Sequence, residues 1–176
     1  KRALTQGGLV LHYQPVVDIH SGQLVAAEAL LRMRGADGGL ISPQHLIPVA
    51  EATGLIGDIG AWVAAEACRQ MREWSDQGLP PVSVAVNVSP IQFRQRGFRQ
   101  RLLRIVEAAA IDPACLQLEV TESTVMENVD EVIDALKDIK SLGVRIALDD
   151  FGTGYSSLGL LTSLPLDKIK DRKSVV

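Results

Sequence analysis

The chain has 176 residues, 47% hydrophobic and 22% charged, which suits one globular domain with a real core and excludes disorder as its main state. Lys and Arg number 18 against 21 Asp and Glu, a net charge of −3, and aromatics are only 4%. A nucleic-acid polymer is therefore not an expected partner, because a phosphate backbone wants a basic surface and a single strand wants stacking platforms. Cys68 and Cys115 have no CxxC spacing, so neither a disulfide scaffold nor a structural zinc site is expected. No apolar run approaches the ~20 residues of a membrane span. The opening Lys1-Arg2 carries no signal-peptide pattern, and the chain reads as a piece of a longer, cytoplasmic protein whose parent could still be tethered to a membrane.

Leu9 to Val17 alternates like a strand, Asp18 to Gln23 is a turn cluster, and Leu24 to Met33 is a second strand. The short link predicts an antiparallel pair. Ser42-Pro43 marks a helix start, with Ser as N-cap and Pro at the first helical position. A longer helix is predicted over Ile59 to Gln77, a strand over Val82 to Val88 and a helix over Phe98 to Ala110. Leu116 to Thr121 is a strand, and Asn128 to Leu142 a helix stopped by Gly143. Val144 to Leu148 is a strand, Asp149 to Gly154 a loop, Gly154 to Ser163 a short helix and Leu166 to Lys170 a last strand. Strands alternating with helices point to βα units on a parallel sheet, six strands in all. An open doubly wound sheet and an α/β barrel both satisfy this alternation.

Polar residues recur at telling places. Glu28, Asn87, Glu119, Asp149 with Asp150, and Lys170 lie on or at the ends of five successive strands, each inside apolar sequence. Singly, each has a plain reading: Glu28 a rim residue, Asn87 a turn residue, the aspartates a helix cap, Lys170 a solvated lysine. Jointly they suggest a site, because the C-terminal strand ends of an α/β barrel converge on one mouth. Carboxylates gathered there repel unless a cation neutralises them, and oxygen ligands suit Mg²⁺ or Mn²⁺. The adjacent Asp149 and Asp150 could bridge two ions about 3.5–4 Å apart. His12, His20 and His45 do not cluster, and Gly152-Thr153-Gly154 lacks the third glycine of a dinucleotide fingerprint. Glu122 reads as a helix cap or a loop anchor.

Several blocks together resemble the EAL domain family. They are Tyr13 to Pro15, AEALLR around Glu28, SPQHLIPVAEATGLI (42–56), VNVSP (86–90), LEVTES (118–123), LDDFGTGYSSL (148–158) and LPLDKIK (164–170). The resemblance implies a TIM-like (β/α) barrel with an antiparallel first strand, about six of its eight strands present. Residues 1–176 would be a single EAL domain stopping before the last two strands, with reduced activity in isolation. It also implies metal-dependent hydrolysis of cyclic di-GMP to linear pGpG with a two-metal Mg²⁺ or Mn²⁺ site. By that resemblance Glu28, Asn87, Glu119 and Asp149 would ligate one metal, and Asp149 and Asp150 the second. Lys170 would orient or help deprotonate the attacking water, with Glu28 the other catalytic residue. Gln14 and Arg32 would contact substrate, and Glu122 would anchor the DDFGTGYSS loop, which couples to a homodimer. Sensory or GGDEF domains are expected in the parent protein. The alternative is a receptor or interaction module that binds the dinucleotide without cleaving it.

Overall fold

Strands β1 (Leu9–Val17) and β2 (Leu24–Arg34) pair antiparallel, with Gln14 opposite Glu28. Their connection is held by Asp18, whose carboxylate accepts from the backbone N–H of His20 and Ser21 and from the Ser21 hydroxyl. Gly22 completes the turn at φ +67°, in the left-handed region that glycine enters freely. A computed structural model describes residues 7–35, 38–126, 129–151 and 163–171 of the chain.

Beyond the hairpin the predicted strands and helices follow in order, with short elements added. A two-residue strand β3 (Leu40–Ile41) pairs back on β2. Helices α1 (Pro43–Ala52) and α2 (Ile56–Asp76) lead to β4 (Ser83–Asn87). Helices α3 (Pro90–Phe93) and α4 (Phe98–Ala109) and a 3₁₀ turn (Pro113–Cys115) lead to β5 (Leu116–Thr121). Helices α5 (Glu122–Met126) and α6 (Val129–Lys140) lead to β6 (Arg145–Phe151), and β7 (Lys168–Asp171) follows. The sheet order is β1-β2-β4-β5-β6-β7, parallel from β2 onward, with β3 off the path beside β2. This is the expected α/β barrel architecture with its antiparallel first strand.

Local chemistry explains most boundaries. The Ser42 hydroxyl accepts from the Gln44 N–H, and Pro43 opens α1. Gly143, at φ +85°, ends the α6 segment as predicted. Three differences stand out. Helix α2 begins at Ile56, three residues before the prediction, running through Gly57 and Gly60. These glycines belong in the helix because its first turns press on the segment after β4. A Cβ on Gly60 would fall 2.1 Å from the Gln92 amide, and one on Gly57 1.9 Å from Gln95 Oε1. Second, Asp149 and Asp150 open no loop; β6 carries on to Phe151 through a register break, with Asp150 at φ +57°. Third, β3, α3, α5 and the 3₁₀ turn were not expected. The short helix predicted over Gly154 to Ser163 falls, apart from Ser163, outside the described residues.

The core lies between the sheet and its helices. Val84, Val86, Leu116, Leu118, Val120, Ile146 and Leu148 point at Val63, Ala67, Leu102, Val106, Leu136 and Ile139. Both cysteines are free, as expected, and burial pushes the Cys68 thiol up to about 12.

Candidate active site

Strand alternation sorts the side chains into two faces. With Leu118 and Val120 against the helices, Gln117 and Glu119 must point the other way. Register extends that second face across the sheet. One row runs Gln14, Glu28, Ala85, Gln117, and the next runs Asn87, Glu119, Ala147. Ala85 and Ala147 are small, which leaves the long polar side chains room to meet above them.

They meet at one ammonium. Lys170 Nζ, from β7, donates to both carboxylate oxygens of Glu119 at 2.8 Å and to Glu28 Oε2 at 3.3 Å. Asn87 Nδ2 donates to Glu28 Oε1 at 2.9 Å. A carboxylate only accepts, so this bond turns the Asn87 Oδ1 away from Glu28 and leaves it, among the described residues, as a free acceptor. Gln117 Nε2 donates to Glu119 Oε1 at 3.1 Å. Glu119 is only 2% exposed, and Glu28 and Lys170 are half-buried. Asp149 is close enough to act electrostatically on both Glu119 and Lys170.

The charges shift accordingly. Burial lifts the Glu119 carboxyl above its ordinary value, outweighing the Lys170 ammonium, and Glu28 and Asp149 lift it further. Burial works against the Lys170 ammonium, yet Glu119, Glu28 and Asp149 hold its pKa above the usual lysine value. Both directions have one cause. Three carboxylates face one ammonium, so the cluster carries two negative charges in excess, which adds to burial at Glu119 and outweighs burial at Lys170.

The other predicted residues are distributed around this cluster. Gln14 is exposed beside Glu28, and Arg32 lies four residues further along the same face, its Nη1 donating to the Leu31 carbonyl at 2.8 Å. Asp150 is exposed on the bulge, its backbone N–H donating to Asp149 Oδ1 at 2.9 Å. Glu122 is buried as the first residue of α5, at the C-terminal end of β5. The loop it was expected to anchor lies, from Gly152 on, outside the described residues. Three contributors were missed by sequence reading. Gln117 could have been found by its place two residues before Glu119 on the same face. Glu51 and Ser89, whose side chains bond to each other beside the site, lie in the 42–56 and 86–90 blocks, but nothing local pairs them.

A family model for the EAL domain matches residues 1–176. The chain belongs to the EAL domain family. It is 45% identical, over 170 residues, to the bifunctional diguanylate cyclase/cyclic di-GMP phosphodiesterase MucR of Pseudomonas aeruginosa, covering 97% of this chain and 25% of that protein. It is 44% identical over its full length to an uncharacterized protein, y4lL, of Sinorhizobium fredii, and spans 21% of that one. The chain is thus about a quarter of the length of these relatives, or less. Among solved structures it is similar to the PaMucR phosphodiesterase in complex with c-di-GMP, with a TM-score of 0.92 and 45% identity, covering 97% of this chain and 69% of that one. The Xanthomonas citri FimX EAL domain in complex with c-diGMP gives 0.85 at 26% identity, covering 97% and 66%.

EAL phosphodiesterases depend on a divalent metal, and the donor chemistry here fits one. Glu28, Glu119, Asp149 and the free Asn87 Oδ1 offer only oxygen, the preference of a hard cation. The two excess negative charges are those one divalent ion would balance. Among the described residues no three acidic, histidine or cysteine groups converge closely enough to hold an ion by themselves, since Glu28 and Glu119 gather on Lys170.

Proposed function

We propose that this EAL domain is a phosphodiesterase that hydrolyses cyclic di-GMP to linear pGpG, using Mg²⁺ or Mn²⁺ in a two-ion site. The observation that carries the reading is the hydrogen-bonded cluster of Glu28, Asn87, Glu119 and Lys170 with its excess negative charge. The printed activity of MucR and its complex with c-di-GMP support the substrate. In this reading Glu28, Asn87, Glu119 and Asp149 hold one ion, and Asp149 and Asp150 the second. The ions supply charge neutralisation at the phosphate and a water of lowered pKa.

The chain's own residues do the rest. Arg32 offers a planar fork to a phosphodiester oxygen, and Gln14 an amide to the nucleotide. Lys170 Nζ donates to a lone pair of the attacking water and aims it at phosphorus. The water oxygen bonds to phosphorus as the phosphorus–oxygen bond to the 3′ position breaks, a water proton ends on the 3′ oxygen, and the ring opens to pGpG. Glu122 anchors the DDFGTGYSS loop, which couples the site to a homodimer partner. Every matching ligand side chain is present, which favours cleavage over a receptor that only binds. The greater length of the relatives, and the double activity in the name of MucR, support sensory or GGDEF domains elsewhere in the parent protein. Among the described residues no helix is long and apolar enough to cross a membrane, and we read the domain as working in the cytoplasm.

The test is pGpG production by the full-length protein and its Glu28→Ala variant. Glu28 sits mid-strand, and its neighbours Ala27 and Ala29 face the core, so truncation removes charge and little packing. The variant should lose on the order of 10²-fold or more in kcat with its melting temperature nearly unchanged. Normal turnover with unaltered Mg²⁺ dependence would remove Glu28 from the site.

A further inference from the structure

Two helices in this fold begin with the same dipeptide and use its hydroxyl differently. At Ser42-Pro43 the serine caps its own helix, accepting from the Gln44 N–H. At Ser89-Pro90 the serine has the same extended backbone, φ −68° and ψ 144°, but its side chain makes no cap hydrogen bond. Ser89 Oγ instead donates to Glu51 Oε1, on α1 and 38 residues away in sequence. The local role open to an N-cap serine is given up for a tertiary bond.

The position of that bond is the point. Ser89 is two residues after Asn87, on the turn that leaves β4 at the mouth of the site. The intervening Val88 N–H donates to the Glu119 carbonyl at 2.9 Å, which ties one side of this turn to β5. The Glu51–Ser89 bond ties the other side to α1. Glu51, Asn87, Ser89 and Thr121 line one cleft, so the bond lies at the rim of the candidate site. Asn87 itself is exposed, and among the described residues its one side-chain bond is to Glu28. Little else holds its amide in place.

We propose that Glu51 and Ser89 form a positioning latch that fixes the end of β4 and thereby aims the Asn87 amide oxygen at the cation. The proposal rests on the metal-dependent reading given above. Neither residue touches the substrate or the ion; both act through the backbone of residues 87 to 89. A partner one step removed from a ligand tunes affinity by limiting the ligand's freedom, and losing one costs about 10–100-fold in metal affinity.

The experiment is a Mn²⁺ titration of the full-length protein by calorimetry, without substrate, alongside melting temperatures. Wild type is compared with Glu51→Ala, Ser89→Ala, the double variant, Glu51→Gln and Asn87→Ala. Glu51→Ala and Ser89→Ala should each weaken Mn²⁺ by about tenfold, within the range above. The double variant should be no worse than either, because both break one bond. Glu51→Gln keeps an acceptor oxygen for the Ser89 hydroxyl and should restore wild-type affinity. Ser89→Ala deletes a single oxygen, so it decides the matter should Glu51→Ala fold poorly. Wild-type Mn²⁺ affinity in Ser89→Ala, alongside a strong loss in Asn87→Ala, would overturn the latch and leave the metal reading standing. Additive losses in the double variant, or no rescue by Glu51→Gln, would likewise overturn it. Unchanged Mn²⁺ binding in Asn87→Ala would overturn both the latch and the role of Asn87 as a ligand.

Discussion

The face of the sheet turned to the helices carries Val84, Val86, Leu118, Val120, Ile146 and Leu148, each 2% exposed or less, and no charged residue among them. The opposite face of the same strands, shifted by one residue, carries Glu28, Asn87, Gln117, Glu119, Asp149 and Lys170. One face is a continuous apolar layer; the other holds a buried glutamate that is tolerable only because a lysine and a glutamine satisfy it. The contrast shows how a fold separates two duties along a single strand. Apolar burial supplies stability without direction, whereas the polar cluster costs desolvation and returns placement of charge. Substitutions on the two faces should therefore be read by different measurements.

The strongest way to break this contrast is Lys170→Met, which strips the buried Glu119 of its counter-charge. Turnover should fall by on the order of 10²-fold or more if, as proposed, Lys170 aims the water. Removing one partner of a buried pair also leaves an uncompensated charge, so stability should drop by about 3 kcal/mol or more. Urea unfolding together with pGpG formation reads both. A variant with wild-type turnover would take Lys170 out of the chemistry, and one with unchanged stability would mean Glu119 finds another partner.

Leu118→Ala changes the other face, one residue from Glu119. It should cost about 2–5 kcal/mol by losing burial and leaving a cavity. Under conditions where the variant stays folded, kcat should remain near wild type. A large kcat loss at full folding would show that the apolar layer also sets the geometry of the cluster.

The smallest effect is expected at the opposite end of the sheet. Asp167 precedes β7, pairs with Lys140, and accepts from the Ile146 N–H at 2.8 Å. Burial alone would raise its pKa, but Lys140 and the Ile146 N–H together hold it below the ordinary aspartate value. A folded pKa lowered in this way adds stability that is present above the unfolded value, about 4. That stability is lost as pH falls through the lower folded value. Asp167→Asn should therefore melt slightly below wild type at pH 7 and indistinguishably from it near pH 2, in thermal scans across that range. A difference that persists at low pH would assign the effect to shape rather than charge.

Much of this molecule was legible along the chain. The Ser42-Pro43 start, the Gly143 stop and the five strands bearing polar residues depend on neighbours within a few positions, and local patterning reports such neighbours. The convergence of Glu28, Asn87, Glu119 and Lys170 was implied by equivalent strand ends, although Lys170 is 142 residues from Glu28; their direct hydrogen bonds were not. Other features had no local signal. Strand β3 has two residues and α3 four, too short for any period to emerge. The predicted helix took in Gly60 but not Gly57, and the reason for either glycine is the space that the Gln92 and Gln95 side chains need. Asp149-Asp150 before a glycine looks like a turn, yet pairing of Phe151 with Asp171 carries the strand past it. The amino-acid order thus decided which faces are apolar, where the chain turns and which strands carry charge, since these follow from side-chain period and backbone preference. Packing alone decided that Ser89 would reach Glu51 rather than cap its own helix, and that two glutamates would share one lysine. Such choices depend on distances between segments far apart in the chain, set only once the strands lie in register.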